Sequence, residues 1–312
     1  MGLGVLPWWL KILAKIILSR LPFGYSFWQR LSLFRHGAMD DPDYVFRNFD
    51  QHYEAAGKPG SGEGFAALEL GPGDSLASAL VINGMGGAAC WLVDAGDFAR
   101  KDMEIYKTIA TSLQSRGVSA PDLKGITSTE GMLSLCEAHY LTNGLEGLRT
   151  IPDSSVDFIW SQAVLEHVRK HEFSDTMKEL RRILKPTGAC SHRIDLRDHL
   201  SANLNNLRFS NRVWESAFFT ESGFYTNRLG YEDILAEFNS AGFEIDVGHV
   251  DRWEKPPLPR WKLSREFLYR TDIDLTVSGF NVILRPIGTM GAMEDMNASD
   301  SVSDHWGIDD RL

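Results

Sequence analysis

Between Phe65 and Leu284 the chain alternates short apolar runs with amphipathic helical patterns, and this alternation constrains its fold more than any other feature. Phe65–Leu70 stops at Gly71-Pro72-Gly73, and Cys90–Val93 stops at Asp94. Ala138–Leu141 and Val156–Trp160 are the next two runs. Ala189–Ile194 follows a helical pattern over Glu172–Leu184 and a break at Lys185-Pro186-Thr187-Gly188. Glu244–Val250 follows a second helical pattern over Tyr231–Ala241 that ends at Gly242, and Thr276–Leu284 is the last run. Strand and helix patterns at this spacing predict an α/β architecture, a mostly parallel sheet with helices on both faces. In such sheets a ligand sits beyond the carboxyl ends of the strands, so the residues just after each run are the candidates for chemistry.

Composition narrows the function classes. With 312 residues the chain forms one large domain or two small ones. Its 43% apolar and 24% charged residues are those of a globular protein, and no run of 18 clean apolar residues predicts a spanning helix. Cys90, Cys136 and Cys190 lie far apart with no CxxC, which argues against a disulfide framework or a Cys-only zinc site and suits a reducing compartment. A net charge of −10 argues against broad binding to nucleic acid.

The charge is unevenly spread. Residues 1–36 hold Lys11, Lys15, Arg20, Arg30 and Arg35 and no acid, whereas residues 288–312 hold six acids and one base, Arg311. In the head, Leu3, Leu6, Leu10, Leu13 and Ile17 recur at helical spacing, Lys11 and Lys15 share another face, and Trp8 and Trp9 are rings of the kind found at membrane surfaces. A signal peptide needs positive charge before its apolar stretch and a small-residue cleavage site, and neither is present. N-myristoylation needs Ser or Thr where Leu6 stands. Two readings stay open: an interfacial amphipathic helix, and a helix that caps the globular core. The expected organisation is a basic head over 1–36, a main globular domain over 37–287 and a disordered acidic tail over 288–312. The expected location is cytoplasmic, with peripheral contact at the inner membrane face.

The first strand ends Leu68-Glu69-Leu70-Gly71-Pro72-Gly73-Asp74-Ser75. A strand that turns sharply beside a ligand needs glycines, because a Cβ would block the backbone's approach. Leu76 stands where GxGxxG requires its third glycine, which counts against NAD or FAD, and the Walker pattern is absent. Asp94 falls 21 residues after Gly73 at the tip of the second strand. A carboxylate there can accept from both hydroxyls of a ribose. Asp97 is a nearby alternative, slightly too far past the strand.

Taken in order, Leu68–Ser75, Asp94, IPDSSVDFIWSQAVLEHV (151–168) and ELRRILKPTGA (179–189) resemble the class I S-adenosylmethionine-dependent methyltransferases of the methyltransferase-11 type. The resemblance spans about Phe65 to Pro286 and implies a Rossmann-like, seven-stranded sheet whose last strand is antiparallel. It implies S-adenosylmethionine as cofactor, with Glu69, Gly71 and Gly73 under its methionine part and Asp94 on its ribose. Asn143-Gly144 stands where the family often has an acid facing the adenine amine, and the Asn carbonyl can accept in its place. Ser161, Gln162 and Ala163 would border the sulfonium. Ser75 replaces a third glycine of many members. Glu166-His167 matches a common family sequence, with a packing role as the alternative for His167.

S-adenosylmethionine brings its own activated methyl group, so such a protein mainly aligns an acceptor and excludes water. An alcohol acceptor needs a base; an amine or phenolate does not. The candidates are His192, Asp195 and His199, with Asp195 and His199 on one face if a helix begins there. Three readings remain open: a His base oriented by a carboxylate, a divalent metal on some of these three residues, and a polar loop capped by Asp195 or Asp198. No resident metal is assigned. Residues 196–230 form a long connection, read as a lid insertion, in which Trp214, Phe218, Phe219, Phe224 and Tyr225 alternate with Asn and Arg. It suits contact with a sugar or polar ring, or a helical cover over the sheet. A second insertion, Arg252–Thr271, is rich in Pro and Trp. The expected reaction is O-methylation of a saccharide or lipid-linked intermediate. The alternatives are N- or C-methylation of a small hydrophobic metabolite, or a non-catalytic cofactor-binding scaffold.

Overall fold

The computed structural model describes residues 10, 41–62 and 64–288. Apart from Leu10, the expected head helix over 1–36 lies outside the described residues, as does the acidic tail beyond Gly288. No described helix is long and apolar enough to cross a membrane.

The first element, α1 (Pro42–Ala55), has Asp41 at its N-cap, whose carboxylate accepts from the Asp43 N–H at 2.9 Å, and Pro42 in its first turn. Val45, Phe49, His52 and Tyr53 form its buried face. The sequence reading placed no helix here, although the Asp-Pro start and the spacing of these four residues signal one.

There follow β1 (Ala66–Leu70), α2 (Ser78–Gly84), β2 (Ala89–Val93), α3 (Met103–Ser115), α4 (Thr129–Leu135), β3 (Ala138–Leu141), α5 (Leu145–Arg149) and β4 (Val156–Gln162). After β4 come a single turn over Leu165–His167, α6 (Phe173–Ile183) and β5 (Leu184–Asp195). The lid holds only short helices, among them α7 (Asn211–Trp214) and α8 (Ala217–Thr220). The chain then forms α9 (Tyr231–Ser240), β6 (Phe243–Arg252), α10 (Asp272–Thr276) and β7 (Val277–Pro286). The seven strands make one sheet in the order β3-β2-β1-β4-β5-β7-β6. β1 to β5 run parallel, while β7 runs antiparallel to both β5 and β6.

Each face of the sheet carries its own core. Phe158 and Trp160 of β4 join Phe49, Leu80, Ile109 and Met132 on one side. Ile159 joins Met177, Leu180, Ile234 and Phe238 on the other. β1 is buried at every position, as a central strand covered on both faces must be. The break expected at Lys185–Gly188 is absorbed into β5: Leu184 pairs with Val156 and Ala189 with Phe158, across a register shift. A Cβ on Gly188 would lie 2.7 Å from the Asp157 carbonyl oxygen, so glycine is what lets this irregular stretch hug β4.

The lid is organised around its own side chains. Trp214, Phe219, Phe224 and Tyr225 pack with Leu200 in a separate small core, and the Trp214 indole donates to the Thr226 carbonyl at 2.7 Å. The aromatics read from sequence as a surface for a sugar are therefore mostly buried against one another; Phe218 remains exposed. The lid's polar residues are likewise engaged internally. Asn227 donates to the carbonyls of Leu165 and Val168 at 2.8 and 3.1 Å, which pins the lid to the turn after β4. Arg228 is buried, donates to the Phe209 carbonyl at 2.6 Å and to Asn211 at 2.7 Å, and lies over the rings of Trp214 and Phe267. The second insertion braces the lid: Leu258, Leu263 and Phe267 pack on Leu204 and Leu207, and Ser264 N–H donates to the Leu207 carbonyl at 2.8 Å.

Candidate functional site

At the carboxyl end of β1 the chain bends through Gly71 at φ +74° and Gly73 at φ +61°. Gly71 N–H donates to the Val93 carbonyl at 2.8 Å, which ties the bend to β2. One carboxylate oxygen of Asp94 accepts from Gly73 N–H at 2.9 Å and the other from Ala95 N–H at 2.7 Å. Its backbone carbonyl accepts from Gly144 N–H at 2.8 Å. Glu69, Gly71, Gly73, Asp94, Asn143 and Gly144 are thus drawn to adjoining strand ends by direct bonds between β1, β2 and β3. Gly144 stands at the N-cap of α5 with φ 53° and ψ −122°, a conformation suited to glycine. Beside them, a cavity of about 570 Å³ opens between the loop after β2, α4 and β3, with Leu76, Asp97, Lys101, Tyr140 and Thr142 among its walls.

Residues 108–191 match the family described as a methyltransferase domain. That match runs from α3 to β5 inside a sheet of order 3-2-1-4-5-7-6 with an antiparallel β7. The match and this sheet together support a class I S-adenosylmethionine-dependent methyltransferase domain. Among solved structures it is similar to a SAM-dependent methyltransferase of Methanosarcina mazei, at 18% identity over 72% of this chain and 93% of that one, with a TM-score of 0.42. A SAM-dependent methyltransferase of Mesorhizobium loti shows 14% identity over 75% and 97%, with a TM-score of 0.40. An arsenic(III) S-adenosylmethionine methyltransferase of Chlamydomonas reinhardtii shows 14% identity over 72% and 64%, with a TM-score of 0.39. No curated protein matches the chain in sequence.

The residues at the bend fit the cofactor of this methyltransferase. Glu69 is buried, and its Oε2 has no partner among the described residues. Burial, with the Asp94 charge adding to it, pushes the Glu69 carboxyl up to about 8. Asp94 stays part-exposed at the strand tip. An orphaned carboxyl oxygen and an accessible carboxylate on one bend are acceptors matched to an ammonium group and a ribose diol.

A pH prediction arises here. The native state holds the Glu69 proton more tightly than the unfolded chain does, where the carboxyl has its ordinary value of 4.5. The stabilisation is full below pH 4.5 and is lost as pH rises towards 8. Thermal melts of the cofactor-free protein are expected to show this loss, and Glu69→Gln is expected to flatten it; an identical slope in the variant would refute the assignment.

Of the three residues expected beside the sulfonium, Ser161 and Gln162 point to opposite faces of β4. Gln162 faces the α1 side, where its Oε1 lies 3.0 Å from His52 Nε2, while His52 Nδ1 lies 2.7 Å from the Ser191 hydroxyl. His52 is buried, and burial pulls its imidazole down to about 4. The sequence reading missed this residue because it missed α1. Ser161 faces the other side, fully buried, with its hydroxyl 2.7 Å from His192 Nδ1.

His192, expected to line the site as a base, is fully buried beside the Phe238 ring. Burial drives its imidazole down to about 3, with the nearby His52 adding to the effect. Such a ring suits packing better than proton transfer. No helix begins at Asp195, so Asp195 and His199 share no helical face. Asp195 instead takes the guanidinium of Arg197 through both oxygens, with bonds of 2.9 to 3.2 Å. Asp198 organises the following turn, accepting from the N–H groups of Leu200 at 3.0 Å and Ser201 at 2.7 Å. Among the described residues, no group of three or more His, Cys, Asp or Glu is placed to hold a metal ion.

His199 meets His167 instead. Their Nε2 atoms are 3.0 Å apart and the rings stack at 4.8 Å, both exposed, one after β5 and the other after β4. His167 Nδ1 lies 2.8 Å from the Tyr225 carbonyl of the lid. Next to it, Glu166 is buried with both carboxyl oxygens unpartnered among the described residues, and burial together with Asp195 holds it well above the usual carboxylate range.

Proposed function

We propose that this methyltransferase acts on a hydroxyl oxygen of a saccharide or lipid-linked intermediate, at a cytoplasmic membrane face reached through its basic head. The observation that supports an oxygen acceptor is the exposed His167–His199 pair at the carboxyl ends of β4 and β5. A carbonyl oxygen only accepts, so His167 Nδ1 donates to Tyr225 and its Nε2 carries a lone pair. That lone pair accepts the Nε2–H of His199, which leaves the His199 lone pair on Nδ1. His199 Nδ1 then removes the acceptor's hydroxyl proton, and the imidazolium charge is shared through the bond to His167. His167 is a positioning residue, held by the lid. S-adenosylmethionine, when bound, supplies the electrophilic methyl group. Gly71, Gly73 and Asp94 would hold it in place, while Gln162, fixed by His52, stands at the adjoining strand end.

His199→Gln is expected to lower kcat on an alcohol acceptor about 10²–10⁴-fold, the usual contribution of a general base, with cofactor affinity unchanged. An acceptor screen decides the reading: transfer to amine or carbon acceptors only, undiminished in His199→Gln, would overturn oxygen methylation. Cofactor binding with no transfer across broad pools of hydroxylated acceptors would overturn it too.

A further inference from the structure

The connection between β6 and β7 leaves the sheet at Arg252, at the same end as the carboxyl termini of β1 to β5, because β6 runs antiparallel to β7 and β7 antiparallel to β5. It therefore stands on the rim of the methyltransferase site, against the lid. Its inner face is spent on the lid, through Leu258, Leu263 and Phe267. Its outer face carries Trp261 at 80% exposure, Ile273 at 68%, Tyr269 at 66% and Leu268 at 47%. These are four of the eight large apolar side chains that stand exposed among the described residues, gathered into 13 positions of one insertion.

The segments that carry these side chains are tied together. The Arg260 side chain donates to Asp272 at 2.8 Å and to the carbonyls of Leu268 at 3.2 Å and Arg270 at 2.6 Å. The turn bearing Trp261 is thereby clamped beside the segment that bears Leu268, Tyr269 and Ile273. Lys262 extends over the Trp261 ring, its ammonium 4.8 Å from the centroid.

Charge distinguishes this face from the rest of a chain of net charge −10. Residues 252–273 hold six basic residues against Glu254, Glu266 and Asp272. Most neighbouring acids have partners within the chain, although Glu266 and Asp272 stay exposed. Glu266 accepts from Asn211 N–H at 2.9 Å and from the Ser264 hydroxyl at 3.0 Å, Asp272 takes Arg260, and Asp233 takes Arg270 at 2.8 Å. Lys262 lies over the Trp261 ring, and Lys255 and Arg265 stand exposed in the same segment, with Glu254, Glu266 and Asp272 as the opposing charges. Indole and phenol rings mixed with aliphatic side chains and cations match the boundary between lipid headgroups and acyl chains. The complementary charge is that of anionic headgroups.

We infer that the outer face of residues 252–273, centred on Trp261, Tyr269 and Ile273, docks on an anionic lipid surface and turns the mouth of the site towards it. The face is separate from the head, and its docking does not require the proposed oxygen acceptor. Two weak contacts, head and insertion, would together give the stable attachment that one rarely gives.

The test is sedimentation of the full-length chain with phosphatidylcholine vesicles, with and without phosphatidylglycerol. Binding is expected only with phosphatidylglycerol and should weaken as salt is raised. Lys262→Glu/Arg265→Glu should lower the partition coefficient at least about 25-fold, at about fivefold for each cation removed. Trp261→Ala/Ile273→Ser should lower it as well, with unchanged melting temperature and cofactor affinity in both variants. Vesicle binding that neither variant reduces would assign attachment to the head alone and overturn the inference. Absence of binding, or equal binding to neutral vesicles, would overturn it too. So would a stable oligomer in solution that Trp261→Ala dissociates, since the face would then be a protein interface. Vesicle binding needs no methyl transfer, so failure of the acceptor screen and failure of this test are separately visible.

Discussion

Asp94→Ala is expected to weaken binding of S-adenosylhomocysteine about 10²–10⁴-fold. A hydrogen bond to a charged group contributes about 1.5–3 kcal/mol, and a ribose diol offers two donors to this carboxylate. The side chain also accepts from Gly73 N–H at 2.9 Å, so its removal frees the glycine bend from β2 on the side-chain route. Gly71 N–H to the Val93 carbonyl, at 2.8 Å, would remain as a backbone tie. The loss should therefore fall on affinity more than on folding. Asp94→Asn separates the contributions: the amide keeps one acceptor oxygen and loses the charge, and its affinity should fall between alanine and wild type. Titration calorimetry reads all three. An alanine variant that binds within threefold of wild type would remove Asp94 from the cofactor site.

The strands and the glycine bend after β1 were legible in the sequence because the first two apolar runs end on residues with a physical reason to stop them. Gly71 and Gly73 adopt positive φ, and Asp94 caps the tip of β2. β3 was read with its observed bounds, Ala138 to Leu141. Where the sequence misled, the competing physics is identifiable. Lys185-Pro186-Thr187-Gly188 has the composition of a turn, yet β5 starts at Leu184 because the irregular stretch still pairs with β4 and Lys185 reaches Asp157 at 2.7 Å. Alternation could not place His192, because β5 is covered on both faces: Ser191 turns to His52 and His192 to Ser161, and both are buried. Composition could not orient the lid aromatics either, since a small satellite core and a sugar platform use the same residues. The His167–His199 pair spans 32 positions and two loops. The register of β4 on β5, the Asn227 bonds to the turn after β4 and the Tyr225 carbonyl on His167 bring the two rings together.

The largest expected effect on folding lies at Gly71. At φ +74° an alanine takes the left-handed conformation, which costs about 1–2 kcal/mol. Its Cβ would also lie 2.5 and 2.6 Å from the two Cγ atoms of Val164. Valine is branched at Cβ and stiff, so it cannot swing aside as a long flexible chain would, and overpacking of this kind costs about 1–3 kcal/mol. Gly71→Ala should therefore destabilise the domain by about 2–5 kcal/mol, a fall of about 4–20 °C in melting temperature. The two contributions can be told apart. Adding Val164→Ala to Gly71→Ala removes the clash and should restore the packing share, while the backbone share remains. The double variant should also recover cofactor affinity in part, because the bend would again approach β4 at its native spacing. A single variant that melts like the wild type, or a double variant no more stable than Gly71→Ala, would show that the turn after β4 does not press on this glycine. The expected outcome instead makes Val164 the reason that the first glycine of the bend cannot be replaced: the cofactor bend and the turn that carries Glu166 and His167 are shaped by one contact.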